Sequence, residues 1–223
     1  MKYYLQSVFF ILLITCCNNF LAAQNQQPPF YNEIQDFKKT DSLQPPPKHP
    51  ILFVGSSSFR FWKTVQADFP AHTIINRGFG GSTLPDVIRY ANDIIIPYQP
   101  KQVVIYCGEN DLAQSDTVTA AMVLQRFTTL FNIIRSKLGK VPVVFVSIKP
   151  SPSRIKLFDK EVEANTLIQA FLKTQRKAAY ADVFYPMLGA DGKPMPDLFI
   201  EDNLHMNAKG YAIWQKIIEP FLK

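Results

Sequence analysis

Five residues spread along the chain have the types that acyl-transfer chemistry needs. Ser57 supplies a hydroxyl nucleophile, and the Asp202-x-x-His205 pair supplies a base with a carboxylate to orient it. Gly81 and Asn110 lie between them and can donate N–H groups to a developing oxyanion. Together with the backbone N–H of Ser57, these are the parts of a serine esterase.

Each part also has a simpler explanation when it is considered alone. Ser57 follows an apolar run and Gly55, and a serine there can simply cap the next helix. The glycines of the segment 78–81 are compatible with a tight turn or a phosphate loop, although no G-x-x-x-x-G-K-[ST] pattern is present. Asn110 fits an Asx turn, and His205 fits a loop residue before the last helix.

A metal site is a further possibility, because three acidic residues lie near these segments. Glu109, Asp111 and Asp202 could contribute carboxylates, but no spacing of His or Cys ligands supports such a site. We therefore predict no metal and no organic cofactor.

Apolar runs predict the elements that position these residues. Strands are expected at residues 51–54, 73–76, 102–106 and 141–147, with a weaker one at 180–183. Helical periodicity covers residues 59–69, 84–95, 117–138, 159–178 and 208–222, and a short helix is expected near 31–38. This alternation predicts the α/β class, as a three-layer α/β/α sandwich around a parallel sheet.

The predicted strands also indicate where the chemistry should meet. Ser57 follows the first strand, Gly81 the second and Asn110 the third. Ligands bind at the carboxyl ends of parallel strands, so these residues are expected at one edge of the sheet.

The combined segments resemble the SGNH (GDSL-type) hydrolases, over nearly the whole region from Ile51 to Trp214. The matching blocks are the strand-Gly-x-Ser turn, Asn-x-Gly-x-x-Gly, Gly-x-Asn-Asp and Asp-x-x-His, in the family's order. The resemblance implies a flavodoxin-like sandwich of five parallel strands. It also implies Ser57 as nucleophile, His205 as base and Asp202 as its partner, with Ser57, Gly81 and Asn110 as oxyanion donors.

One position departs from the family's pattern. Ser56 stands where the family usually has aspartate, next to the predicted nucleophile. A serine hydroxyl can make some of the same backbone hydrogen bonds, so the shape of the loop is affected more than the chemistry. The run of three serines also leaves Ser56 and Ser58 as lesser candidates for the nucleophile.

The N-terminal residues 1–23 are predicted to be a signal peptide. Lys2 precedes a short apolar run, and Leu21-Ala22-Ala23 offers a cleavage site before residue 24. Export to the periplasm or the medium is therefore expected, with a membrane-tethered lipoprotein as the alternative if Cys16 is lipidated. Residues 24–49 are expected to form a polar lead-in arm, and residues 50–223 the hydrolase domain.

Composition limits the partners. The formal net charge is +6, but the basic residues are scattered and no basic stripe with interleaved aromatics predicts nucleic-acid binding. After cleavage Cys107 would be the only cysteine, so no internal disulfide is expected. Oligomeric state cannot be read from the sequence.

The predicted function is hydrolysis of short acyl esters, such as acetyl groups on carbohydrates, through an acyl-enzyme. Glu109, Lys149 and Arg154 suggest a polar site edge, with Glu109 and Arg154 as candidate substrate-binding residues. Alternatives are a lysophospholipase or thioesterase, a non-catalytic glycan-binding domain on the same fold, and a phosphate or nucleotide site at residues 78–81.

Overall fold

A computed structural model of the chain describes residues 27–223. The predicted signal peptide, including Cys16, lies outside these residues, so export and lipidation stay predictions. The boundary between the predicted arm and the domain likewise stays a prediction. Within the described residues Cys107 is the one free cysteine, and burial raises the pKa of its thiol.

Five parallel strands form a single sheet in the order β2-β1-β3-β4-β5. They are β1 (Ile51–Gly55), β2 (Ile74–Gly78), β3 (Gln102–Tyr106), β4 (Val143–Val146) and β5 (Ala178–Ala181). Every residue of β1, β3 and β4 is buried, which explains their continuous apolar sequences. The predicted α/β/α sandwich with five parallel strands is confirmed.

Helices connect the strands and cover the sheet. They are α1 (Tyr31–Leu43), α2 (Ser57–Arg60), α3 (Val65–Asp68), α4 (Leu84–Arg89), α5 (Ala91–Ile94), α6 (Glu109–Gln114), α7 (Ala120–Leu138), α8 (Phe158–Lys173) and α9 (Ala208–Ile218). Short 3-10 turns occupy Ile96–Tyr98, Pro152–Leu157, Tyr185–Met187, Pro196–Leu198 and Glu219–Phe221. No helix within the described residues is long and apolar enough to cross a membrane.

The helix predicted over residues 59–69 is wrong, because two short helices, α2 and α3, occupy this region. The Asp68 carboxylate accepts hydrogen bonds from Trp62 Nε1 at 2.5 Å and from Thr64 Oγ1 at 2.7 Å. These local bonds stabilise a turn where continuous helical bonding was expected. The helix predicted over 84–95 is similarly divided at Tyr90, whose backbone is not helical.

An aromatic cluster lies beneath α2 on one face of the sheet. Phe59 of α2 contacts the rings of Phe53, Tyr106 and Trp214, with centroids between 4.9 and 6.0 Å apart. All four side chains are almost fully buried. Burying one such ring stabilises the fold by about 1.5–3 kcal/mol, so this cluster holds α2 and therefore Ser57 in place.

Helix α1 lies in the predicted polar arm and is longer than the helix expected near residues 31–38. The Asp41 carboxylate accepts hydrogen bonds from Arg77 of β2 and from the Tyr98 hydroxyl. Nearer its start, Glu33 Oε2 accepts the backbone N–H of Gly80 at 3.1 Å. Helix α1 therefore contacts the glycine loop that follows β2.

Candidate active site

The ends of three neighbouring strands bring the first half of the site together. Gly55, at the end of β1, pairs with Gly78 of β2 on one side and Tyr106 of β3 on the other. Gly55 has φ +138°, and a side chain there would overlap the Tyr106 carbonyl oxygen. Only glycine fits this position. The chain then passes directly from Gly55 into the turn that carries Ser57.

Ser57, His205 and Asp202 form a continuous hydrogen-bonded chain. The Ser57 hydroxyl lies 2.9 Å from His205 Nε2, and His205 Nδ1 lies 2.6 Å from Asp202 Oδ2. An ionised carboxylate only accepts hydrogen bonds, so Nδ1 carries the proton and Nε2 is free to accept from the serine. This is the arrangement of a nucleophile, its base and an orienting acid.

Asp202 also builds the turn that presents His205. Its Oδ1 accepts the backbone N–H of Leu204 at 2.9 Å and that of His205 at 2.8 Å. Partial burial opposes ionisation of Asp202, but the hydrogen bonds from His205 and Leu204 are stronger together and lower its pKa. Asp202 therefore stays ionised at neutral pH, and the 42% exposure of its side chain to water also favours the charged form.

The three consecutive serines have different environments. Ser56 and Ser58 are buried, at 3% and 2% exposure, whereas Ser57 is partly exposed and contacts His205. The Ser56 hydroxyl accepts a hydrogen bond from Asn110 Nδ2 at 2.8 Å. The serine that replaces the family's usual aspartate thus binds the side chain of a predicted oxyanion donor.

Asn110 and Gly81 lie close together beside Ser57. A Cβ on Gly81 would be 3.9 Å from Asn110 Nδ2, and apart from its chain neighbours no other described residue would lie within 4 Å of it. Asn110 Nδ2 also donates to the Ser82 carbonyl oxygen at 3.1 Å. Outside the helices and strands of residues 27–223, no backbone carbonyl accepts a hydrogen bond from the N–H of Ser57 or Gly81. The structure thus brings the three predicted oxyanion donors to one edge.

Two contacts of the site were missed from the sequence. The ring of Phe61 packs edge-on against His205 with centroids 4.7 Å apart, and its side chain is 45% exposed. The Ser82 carbonyl holds the Asn110 amide. An exposed aromatic residue just after the Ser57 segment is the one signal that could have indicated the first contact.

Glu109 and Lys149 do not lie at an open site edge as expected, because both are buried. Lys149 is fully buried and donates to both oxygens of Glu109, at 3.0 and 2.9 Å. Tyr106 and Ser151 donate to the same carboxylate, each at 2.6 Å. The Glu109 side chain is therefore saturated by protein donors, and its geometry does not support a contact with substrate. Arg154 lies beside Asn110 and is partly exposed.

A second buried acid, Glu161, lies in the same charged network. Its side chain has one oxygen, Oε1, that is buried without a hydrogen-bond partner within the described residues. Burial is the main cause that raises the pKa of Glu161 to about 9, and the negative charge of Glu109 is the second cause. For Glu109, burial acts in the same direction, but the charges of Lys149 and Arg154 outweigh it and lower the pKa. One acid is thus neutral and the other ionised at pH 7.

This difference predicts a pH dependence of stability that Glu161→Gln should reduce. An unfolded glutamate titrates near about pH 4.3, whereas folded Glu161 keeps its proton to about pH 9. Between these values the folded state binds more protons, so Glu161 lowers the free energy of unfolding as pH rises, by at most about 1.4 kcal/mol per pH unit. In urea denaturation, the free energy of unfolding of Glu161→Gln relative to that of the wild type should therefore increase between about pH 5 and about pH 9. A difference that stays constant with pH would contradict this assignment.

The alternative sites suggested by the sequence receive no support. Asp111 binds Arg126 and the Leu84 N–H, away from the partners of Glu109 and Asp202. Within residues 27–223 no group of three or more His, Cys, Asp or Glu residues could hold a metal ion. At the glycine loop, the Gly80 N–H donates to the Glu33 carboxylate. A phosphate bound to this loop would need the same N–H group.

A five-stranded α/β/α sandwich with a Ser-His-Asp chain at the carboxyl edge defines an SGNH-type hydrolase acting on ester bonds. The chain belongs to the GDSL-like lipase/acylhydrolase family, whose sequence pattern matches residues 52–213. The resemblance predicted from the sequence is therefore confirmed.

Solved structures share this fold. A GDSL-like lipase from Bacteroides thetaiotaomicron superposes with a TM-score of 0.70 at 20% identity, covering 84% of this chain and 95% of the other. A carbohydrate esterase family 3 protein from Talaromyces cellulolyticus gives a TM-score of 0.62 at 18% identity, covering 76% and 94%. A lipase/acylhydrolase from Enterococcus faecalis gives 0.59 at 19% identity, covering 78% and 97%. A search of curated sequences finds no significant match.

Proposed function

We propose that the protein is a serine esterase that removes short acyl groups through a covalent acyl-enzyme. The observation that carries this proposal is the 2.9 Å contact between the Ser57 hydroxyl and His205 Nε2, with Asp202 on the opposite ring nitrogen. Because the ring already accepts from the serine, proton transfer needs no rearrangement of these groups.

The first half of the reaction acylates Ser57. The hydroxyl oxygen attacks the ester carbonyl carbon while His205 Nε2 takes its proton, and the carbonyl oxygen becomes an oxyanion. The bond to the alcohol oxygen then breaks, and His205 returns the proton to the leaving alcohol. Asp202 stabilises the imidazolium between these steps.

Water completes the cycle by the same route. His205 accepts a proton from a water molecule, and the resulting hydroxide attacks the acyl carbon. The second tetrahedral intermediate then collapses, and the proton returns to the Ser57 oxygen as the acid leaves. Besides the ester and this water molecule, the proton balance uses only Ser57 and His205.

The oxyanion would lie among the N–H groups of Ser57 and Gly81 and the amide of Asn110. The Ser57 N–H lies in the first turn of α2, where backbone donors lack helical partners. Asn110 Nδ2 donates to the Ser56 hydroxyl in the free protein. A negatively charged oxygen is the stronger acceptor, so it would draw this donor from the neutral hydroxyl.

A cavity of mixed polarity borders the Ser57 helix, and none of the five candidate catalytic and oxyanion residues lines it. The cavity has a volume of about 350 Å³. It is lined in part by Arg60 of the Ser57 helix and by Gly78, which pairs with Gly55. Its other lining residues are both polar and apolar, namely Glu33, Asp36, Lys63 and Asn76 together with Phe37, Trp62 and Val65. We propose acetyl esters of carbohydrates as the substrate class, because the fold is shared with a carbohydrate esterase.

A series of p-nitrophenyl esters tests the acyl-chain proposal. We expect kcat/KM to be highest for acetate and to fall by at least about 10-fold toward octanoate, because a site that fits an acetyl group closely discriminates against a longer acyl chain. The matched measurement is acetate release from an acetylated sugar compared with hydrolysis of a long-chain triglyceride.

Rates that rise from acetate to octanoate would reject short-chain specificity and favour a lipase-like or lysophospholipase activity. Inactivity across the whole series would favour the glycan-binding alternative. We also propose that the protein acts outside the cytoplasm. Detection of the mature chain beginning at residue 24 in exported fractions would support this.

A further inference from the structure

The orientation of the Asn110 amide is decisive for an oxyanion hole. Its nitrogen must face the reacting oxygen, yet amide oxygen and nitrogen have nearly the same shape. Their positions are therefore set by neighbouring groups. In this protein Arg154 Nη2 donates to Asn110 Oδ1 at 2.9 Å. A guanidinium has no acceptor, so a reversed amide would place two donors against each other.

The Arg154 side chain is itself held by the buried charged network. Its Nη1 lies 4.0 Å from Glu109 Oε1, and Glu109 is fixed by Lys149 and by two hydroxyl donors. The backbone N–H of Arg154 donates to the Ser151 carbonyl at 3.1 Å. Lys149, Ser151 and Arg154 lie on one short segment, and all three side chains approach the residue that precedes Asn110.

One feature of Arg154 is costly for a purely structural residue. Nη1 is buried and has no hydrogen-bond partner within residues 27–223. A buried donor without a hydrogen-bond partner destabilises the fold. The guanidinium keeps this position, in which Nη2 reaches Asn110, with only the 4.0 Å ion pair to Glu109 to compensate Nη1. This is the pattern expected when placement serves a site rather than stability.

We propose that Arg154 is a positioning residue of the oxyanion hole, which holds Asn110 with its N–H groups toward Ser57. The positive charge of Arg154 next to the amide oxygen polarises the Asn110 amide and makes its N–H groups stronger hydrogen-bond donors. The catalytic consequence of this positioning rests on the esterase function proposed above. The positioning of the Asn110 amide by Arg154 does not. It replaces the expectation that Arg154 binds substrate directly.

The kinetic test is Arg154→Met, which keeps side-chain length and removes the donors. We expect kcat for p-nitrophenyl acetate to fall roughly 10-fold with KM unchanged, less than the roughly 10²–10³-fold loss for removal of an oxyanion donor. Arg154→Lys should recover part of this loss. In an Asn110→Ala background, Arg154→Met should have no further effect, because the group it positions is absent. A raised KM with unchanged kcat, or fully additive losses, would overturn the proposal.

A spectroscopic test separates this inference from the esterase proposal. The side-chain amide resonances of Asn110 are identified by their disappearance in Asn110→Ala. They should shift or broaden in Arg154→Met and change less in Arg154→Lys. Unchanged resonances in Arg154→Met would overturn the positioning role even in an active enzyme. An inactive wild type with the expected spectral change would instead reject the esterase function alone.

Discussion

Replacing Ser57 by alanine should lower kcat for p-nitrophenyl acetate by about 10⁴-fold or more. The variant loses the only serine hydroxyl of the 56–58 run that contacts His205, so no acyl-enzyme can form. The measurement is the initial rate of p-nitrophenol release, accompanied by labelling with a fluorophosphonate probe that reacts with activated serines. We expect the wild type to be labelled at residue 57 and the variant to remain unlabelled.

The neighbouring serines provide matched controls for this prediction. Ser58→Ala removes a buried hydroxyl, and it should retain labelling and most of the activity. Ser56→Ala removes the acceptor of the Asn110 amide, and it should lower kcat moderately without preventing labelling. Loss of labelling in Ser58→Ala but not in Ser57→Ala would move the nucleophile to residue 58.

The sequence predicts most of the active-site edge because a parallel sheet constrains it strongly. All strands run in one direction, so residues that follow different strands meet at one edge, as Ser56 and Asn110 do. Asp202 and His205 are also predictable, since a separation of three residues allows a turn in which the carboxylate reaches the ring. Local spacing and strand direction suffice for these positions.

Other features depend on contacts that the sequence does not reveal. Lys149 and Glu109 are charged, and charged residues are usually exposed, so a polar edge was the natural expectation. Their burial is possible because three donor groups from two separate segments make four hydrogen bonds to one carboxylate. The contact of Glu33 with Gly80 likewise joins residues 47 positions apart, and it gives the polar arm a role next to the site.

Replacing His205 by alanine is the second change with a very large expected effect. The variant loses the group that takes the Ser57 proton, and kcat should fall by about 10⁴–10⁶-fold, close to the loss for Ser57→Ala. The double variant should be no worse than either single variant, because the two residues act as one unit. Retention of more than a tenth of wild-type kcat in His205→Ala would show that another base activates the serine.

Asp202→Asn provides a graded comparison with His205→Ala. The asparagine can still accept the backbone N–H groups of Leu204 and His205, so the turn should persist. Its NH₂ group would oppose Nδ1–H, which favours the tautomer with the proton on Nε2 and prevents acceptance from Ser57. Because Asp202 is substantially exposed, water can partly replace its support of the imidazolium, and the loss should be below about 10⁴-fold. A loss equal to that of His205→Ala, with the circular dichroism spectrum unchanged, would show that the carboxylate is as essential as the base itself.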